Sequence, residues 1–178
     1  MKINIFNKDT KKSFTLVEVV VVIALVAIIG TLIISMMVPA SNMFGVITYK
    51  VEAKMKTDQV MKTVVSQIRF SRELEISADA GILNVNADKR KLYSQDGKIY
   101  LKTQNDAKDL FTDAFYDKYN VSILAKKIQG NLINISCTAQ MKGDASIQYT
   151  INTTVEVYNT ALIAGDEGNI LSYYWGEN

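Results

Sequence analysis

The hydrophobic pattern changes character along the chain, and each change predicts an element. From Val19 to Tyr49 no residue is charged, and as a helix rising 1.5 Å per residue that run reaches roughly 45 Å. The hydrocarbon core of a bilayer is about 30 Å thick, so the run spans one with length to spare. The segment is apolar all round from Phe14 to about Phe44, which a helix tolerates only in apolar surroundings. Gly30 and Pro39 are its points of flexibility, with a kink expected near Pro39, where proline removes a backbone donor. Beyond Tyr49 charges return, while Met61, Val64, Val65 and Ile68 keep helical spacing on one face. The same helix is therefore expected to continue, amphipathic, from Val51 to about Leu74.

A different period begins after Gly81. Leu92-Tyr93-Ser94 and Lys98-Ile99-Tyr100-Leu101 flank Gln95-Asp96-Gly97, a hairpin signal. Ile133, Ile135, Cys137, Ala139 and Met141 fall on one face of a further strand, which places Cys137 toward the core. Lys142-Gly143-Asp144 supplies a turn. From Ser146 to Tyr158, Ile147, Tyr149, Ile151, Val155 and Val157 alternate with Gln148, Thr150, Asn152, Thr154 and Glu156, a strand with one wet face. Val121 to Ala125 reads as another short strand. Asp106 to Tyr119 reads as a short helix with Leu110, Phe111, Ala114 and Phe115 inward, and Gly165 to Asn178, without a period, as a loop with a packed end. The expected fold is α+β: a long N-terminal helix, apolar then amphipathic, packed on a small antiparallel sheet in a lollipop arrangement.

Charge sharpens this division. Lys2, Lys8, Lys11 and Lys12 stand against Asp9 alone in residues 1–13, so removing them turns the formal charge of +2 into about −1. By the positive-inside rule Lys11 and Lys12 hold the N-terminus in the cytoplasm and send the chain beyond the helix outside. The remaining balance offers no concentrated basic face for nucleic acid. Histidine is absent, which removes the usual general base, the Ser-His and Cys-His nucleophile pairs and most zinc sites. Cys137 is the only cysteine, so no intramolecular disulfide forms and stability must come from packing.

Between the basic stretch and the apolar run lies Ser13-Phe14-Thr15-Leu16-Val17-Glu18. A carboxylate at the start of a membrane helix is costly and demands a reason. One reason is local: an acidic residue in the first turn gains roughly 0.3–1 kcal/mol from the helix macrodipole. The other lies in the surrounding string. Lys-Lys-Ser-Phe-Thr-Leu-Val-Glu, followed by Val19 to Ile29, resembles the prepilin motif of type IV pilins and type II secretion pseudopilins, and, lacking cysteine pairs, the chain looks more like the disulfide-free pilins of Gram-positive bacteria than those stapled by a C-terminal loop. The likeness covers about residues 8–40. It implies a leader of residues 1–13, a membrane and filament-core helix of residues 14–45, and an extracytoplasmic domain of residues 46–178.

The resemblance also implies roles. A prepilin peptidase would cut between Ser13 and Phe14, and Phe14 would become the N-methylated mature terminus. Glu18 would neutralise the Phe14 amine of a neighbouring subunit and set axial register, both charges being otherwise stranded in apolar surroundings. The partners are other pilin subunits, the peptidase and methyltransferase, and an ATPase-driven assembly platform in the membrane. No catalytic residue, cofactor or metal is implied, and the protein is expected to assemble and not to catalyse. Two positions depart from the pattern: Ser13 stands where the family has glycine, for which slower processing is expected, and Val17 replaces the common isoleucine.

Other readings compete. Val38-Pro39-Ala40 has the small-x-small form of a signal-peptide site, which would release a chain starting at Ser41, and an uncut single-pass anchor is a further alternative. The apolar run is longer than a signal h-region and carries Glu18. For a membrane-anchored enzyme the material is Asp106, Asp109, Asp113 and Asp117 on one helix face, with Asp166 and Glu167. The plainer account is a solvated face partnered by Lys108 and Lys118. Tyr173, Tyr174 and Trp175 either cover the sheet or form a contact patch. Asn120, Asn134 and Asn152 each begin an N-x-S/T triplet, meaningful only where a glycosylation pathway exists.

Overall fold

One helix, α1 (Leu16–Ile68), takes up the apolar run and most of the amphipathic stretch after it, continuing unbroken through Pro39. The structure, a computed structural model, describes residues 15–78, 89–160 and 163–174. It divides into two units, Met1–Gly45 and Val46–Asn178.

In the first unit no large apolar side chain of α1 is covered, from Leu16 at 83% exposure to Phe44 at 70%. Thr31 and Ser35, polar interruptions in this stretch, turn their hydroxyls onto the carbonyls of Ile28 and Leu32, 2.8 Å away in each case. Each hydroxyl is thereby satisfied within the helix and asks for no water.

In the second unit the helix acquires a buried face: Ala53, Thr57, Val60, Met61, Val64 and Ile68. These steps of three and four residues keep one stripe turned to the core. Thr57 is accepted there because its hydroxyl bonds the carbonyl of Ala53 at 2.9 Å. The helix closes at Ile68, six residues short of the expected Leu74. Ser71 ends it, donating its amide to the Ile68 carbonyl at 3.0 Å and its hydroxyl to the same oxygen at 2.7 Å. Leu74 and Ile76 instead alternate with Glu73 and Glu75 along a strand, β1 (Arg72–Ser77).

The later strands are β2 (Lys89–Gln95), β3 (Lys98–Lys102), β4 (Ala107–Asp109), β5 (Tyr119–Gln129), β6 (Leu132–Met141), β7 (Gln148–Glu156), β8 (Glu167–Gly168) and β9 (Ile170–Tyr174), with a four-residue helix α2 (Asp113–Tyr116) before β5. They form two sheets where one was expected, in the orders β1-β9-β2-β3-β4 and β7-β6-β5-β8. All their ladders are antiparallel. The α+β class holds.

The β2–β3 hairpin pairs Leu92 with Leu101 and Gln95 with Lys98. Asp96 and Gly97 form its turn with φ of 50° and 75°, the left-handed pair that matches strand twist in a two-residue hairpin. Gly97 is required twice, since a Cβ there would run into the Asn120 side chain. The alternation in β6 and β7 is realised: Ile133, Ile135, Cys137 and Ala139 are fully buried. They lie opposite Val155, Thr153, Ile151 and Tyr149.

Two further expectations are corrected. Asp106 to Tyr119 is not one helix: it holds β4, a bend and α2, and Ala114 is exposed while Tyr116 is buried. The tail expected to be a loop contains β9, which lies between β1 and β2 as an interior strand of its sheet. Its Ile170, Leu171, Ser172 and Tyr173 are all buried.

The core of this unit joins the α1 stripe to Leu74, Ile76, Leu92, Ile99, Leu101 and Leu171 of one sheet and Val121, Ile123, Ile133 and Ile135 of the other. Polar clamps fix the helix to it. The Tyr119 hydroxyl donates to the Tyr49 carbonyl at 3.0 Å, Lys56 Nζ to the Phe115 carbonyl at 2.6 Å, and the Tyr173 hydroxyl to Gln67 Oε1 at 3.1 Å.

Candidate functional site

The first turn of α1 carries its chemistry in two side chains. Thr15 stands just before the helix, and its Oγ1 accepts the backbone N–H of Glu18 at 3.3 Å. Glu18 reaches back, its Oε2 accepting the Thr15 backbone N–H at 2.9 Å and the Thr15 hydroxyl at 3.0 Å. This is a capping box, in which the two residues satisfy donors that a helix start leaves unpaired. The local reason for an acid at this place is thus realised in the fold. Oε2 takes both hydrogen bonds from Thr15. Ser13 and Phe14, the expected cleavage and methylation positions, lie outside the described residues.

The surroundings of Glu18 are apolar and uncovered. An 18-residue window of α1 has a mean hydropathy of 3.0, and none of it is buried. An exposed apolar surface of this extent is not stable against water. It suits a helix whose solvent is lipid or other apolar helices.

The remaining candidates resolve into structure. Asp109 and Asp113 converge on Lys98, whose Nζ donates at 2.7 Å to Asp109 Oδ2 and to Asp113 Oδ1. The cation is neither of the two expected, Lys108 and Lys118. The Lys98 hydrogen bond holds the Asp113 carboxyl below the usual carboxylate range, and the two carboxylates hold the Lys98 ammonium above the usual lysine range. Asp106 and Asp117 are exposed, and Glu167 pairs with Lys126 at 3.1 Å. Among the described residues no three His, Cys, Asp or Glu side chains gather where a metal could be held.

Cys137 is buried, and burial pushes its thiol up to about 12, which leaves it a small hydrophobe at neutral pH. Tyr173 packs fully into the core, Tyr174 is half-buried, and Trp175 lies outside the described residues. Asn120 and Asn152 are exposed and Asn134 half-buried, and Asn152 accepts the Ser136 hydroxyl at 2.6 Å. Sequence reasoning passed over Thr15 as a partner of Glu18, although Thr-x-x-Glu ahead of an apolar run is the signature of this cap.

Comparison with known proteins places the same segment. Residues 8–34 match a family model described as the prokaryotic N-terminal methylation motif. No curated protein and no solved structure matches the chain. The matched segment contains Thr15, Glu18 and the first nineteen residues of α1. The motif supports a type IV pilin-like or pseudopilin precursor and points to a structural role. The apolar helix near the N-terminus fits a membrane anchor.

Proposed function

We propose that this chain is a subunit, of minor pilin or pseudopilin type, of a filament related to type IV pili or type II secretion pseudopili. The observation that carries the reading is the coincidence of the methylation motif at residues 8–34 with a helix whose apolar half is exposed on every side. In this reading residues 1–13 are a leader, residues 14–45 first anchor the chain and later line the filament core, and residues 46–178 face outward. The leader lies in the cytoplasm and the C-terminal unit outside the membrane. A prepilin peptidase cuts between Ser13 and Phe14 and Phe14 is methylated. An assembly platform then extracts the helix from lipid into a bundle of like helices, a transfer between similar solvents.

Glu18 pairs with the Phe14 amine of the next subunit, which neutralises both charges away from water. Its capping box is compatible with processing, because the Phe14–Thr15 peptide bond survives a cut before Phe14 and Thr15 keeps its backbone N–H. The absence of a cysteine pair likens the chain to the disulfide-free pilins of Gram-positive bacteria, and Ser13 in place of glycine favours a subunit not processed in bulk.

Intact mass and N-terminal fragmentation of the protein from its native membrane test the reading. A methylated Phe14 is the expected terminus. A start at Ser41 would identify a secreted domain, and a retained Met1 a plain anchor; either result sinks the proposal.

A further inference from the structure

The two sheets have four edges among the described residues, and three of them are closed to further pairing. β4 has three residues and β8 two. β1 carries a bulge between Arg72 and Glu75, a left-handed Glu73 with φ of 45°, and three charged side chains. Short strands, bulges and charge are the usual means of blocking an edge. β7 has none of them. It runs nine residues, QYTINTTVE, with no proline, no lysine, no register shift against β6 and one charge at its very end.

The layer beneath this edge is also incomplete. The inward residues of β6 are fully buried, whereas Tyr149, Ile151 and Thr153, their neighbours on β7, are only half-buried. Beside Thr153 a groove of about 420 Å³ runs along α1 and the turn after it, lined by Met61, Lys62, Val65, Ser66, Arg69 and Phe70. Its lining is mostly apolar and includes two cations, Lys62 and Arg69, and no carboxylate. An edge that offers main-chain hydrogen bonds, next to pockets for alternate side chains, has the two parts of a strand-addition site.

We infer that the outer edge of β7 accepts an extended segment of a separate polypeptide. That segment is apolar at alternate positions and carries a carboxylate that meets Lys62 and Arg69. The added strand continues the β7-β6-β5-β8 sheet and lays its inward side chains against Met61, Val65 and Phe70. Charge complementarity selects an acid-bearing strand over a second copy of β7, whose central residues are uncharged. The inference stands apart from the filament reading and fails or holds on its own observations.

Hydrogen exchange with mass spectrometry on the full chain in detergent micelles tests it. The probe is a capped synthetic peptide of about nine residues, a usual strand length, that alternates valine with threonine and carries one glutamate. The expected result is slowed exchange in Gln148–Glu156 by about tenfold at saturation. The same peptide with alternate backbone nitrogens methylated should not slow it, and a lysine-for-glutamate peptide should bind about tenfold more weakly. In the Lys62→Glu, Arg69→Glu double variant that preference should reverse. No slowing, equal slowing by the methylated peptide, or an unchanged ranking of the two charged peptides in the wild-type chain each overturns the inference. So does protection of β7 that appears without peptide and grows with protein concentration, which would make a second copy the occupant.

Discussion

The two stretches of α1 share a backbone conformation and differ in nearly everything else. From Leu16 to Gly45 the large apolar side chains are exposed on all sides of the helix, and Val46, Ile47, Val51 and Met55 still are, while from Ala53 to Ile68 one stripe turns inward, with Val60, Val64 and Ile68 fully buried. Hydrophobicity alone therefore does not say where a residue resides. In the downstream stretch the apolar stripe is matched to a protein core, and in the upstream stretch its lack of a stripe is matched to an apolar solvent. A substitution that is ruinous in one stretch should leave the measured property of the other intact.

The largest contrast comes from one change made in both places. Val64→Asp strands a charge among Val60, Ile68 and the sheets, costing about 3–5 kcal/mol. Circular dichroism in urea should show the C-terminal unit largely unfolded. Ile28→Asp should leave that unit's unfolding curve unchanged and instead cost about 2.5–3.5 kcal/mol of membrane insertion, seen as protein lost from the membrane fraction. If both variants behaved alike, the division of the helix would be wrong.

A gentler pair sharpens the same point. Ile68→Ala opens a cavity in the core and should lower stability by about 2–5 kcal/mol, whereas Leu25→Ala should change it by no more than about 0.5 kcal/mol. Both are read from urea midpoints of the C-terminal unit. At the helix start, Thr15→Ala removes the capping box at a cost of about 1 kcal/mol. Amide exchange at Leu16 to Glu18 should quicken, and Thr15→Ser should restore it.

The smallest effect belongs to the exposed rim of the folded unit. Because the Lys98 hydrogen bond lowers the folded-state pKa of Asp113, its contribution is present above the ordinary carboxylate pKa of about 3.9 and is lost as pH falls through the lowered value. Asp113→Asn should flatten the part of the stability–pH curve that falls as pH drops below the ordinary carboxylate pKa of about 3.9, and alter little at neutral pH. A curve of unchanged shape would show that the ion pair is not formed in solution.

Much of this fold is local in origin. The hairpin at Asp96-Gly97 follows from turn chemistry, and β6 and β7 follow from strict alternation, each legible within about ten residues. The helix end was legible too: Leu74 and Ile76 alternate with Glu73 and Glu75, a two-residue period that the helical spacing of Met61 to Ile68 masked, with no glycine or proline to announce the stop. Of the candidate site, Glu18 stood out as an acid in an apolar field. Its bond to Thr15 was implicit in the spacing.

The residues determined by themselves only the features that near neighbours decide: a long apolar helix with an acidic cap, an amphipathic continuation, two hairpins and a methylation motif. Tertiary structure alone decided the rest. β9 shows no alternation because Ile170 to Tyr173 are covered on both faces, and a strand of that kind carries no signal that separates it from a packed loop. Its partners are β1 and β2, about eighty or more positions earlier in the chain. The sharing of Lys98 between Asp109 and Asp113 and the open edge of β7 have the same cause. Both depend on which strands become neighbours, a choice made by burial of the whole core and not by any single segment.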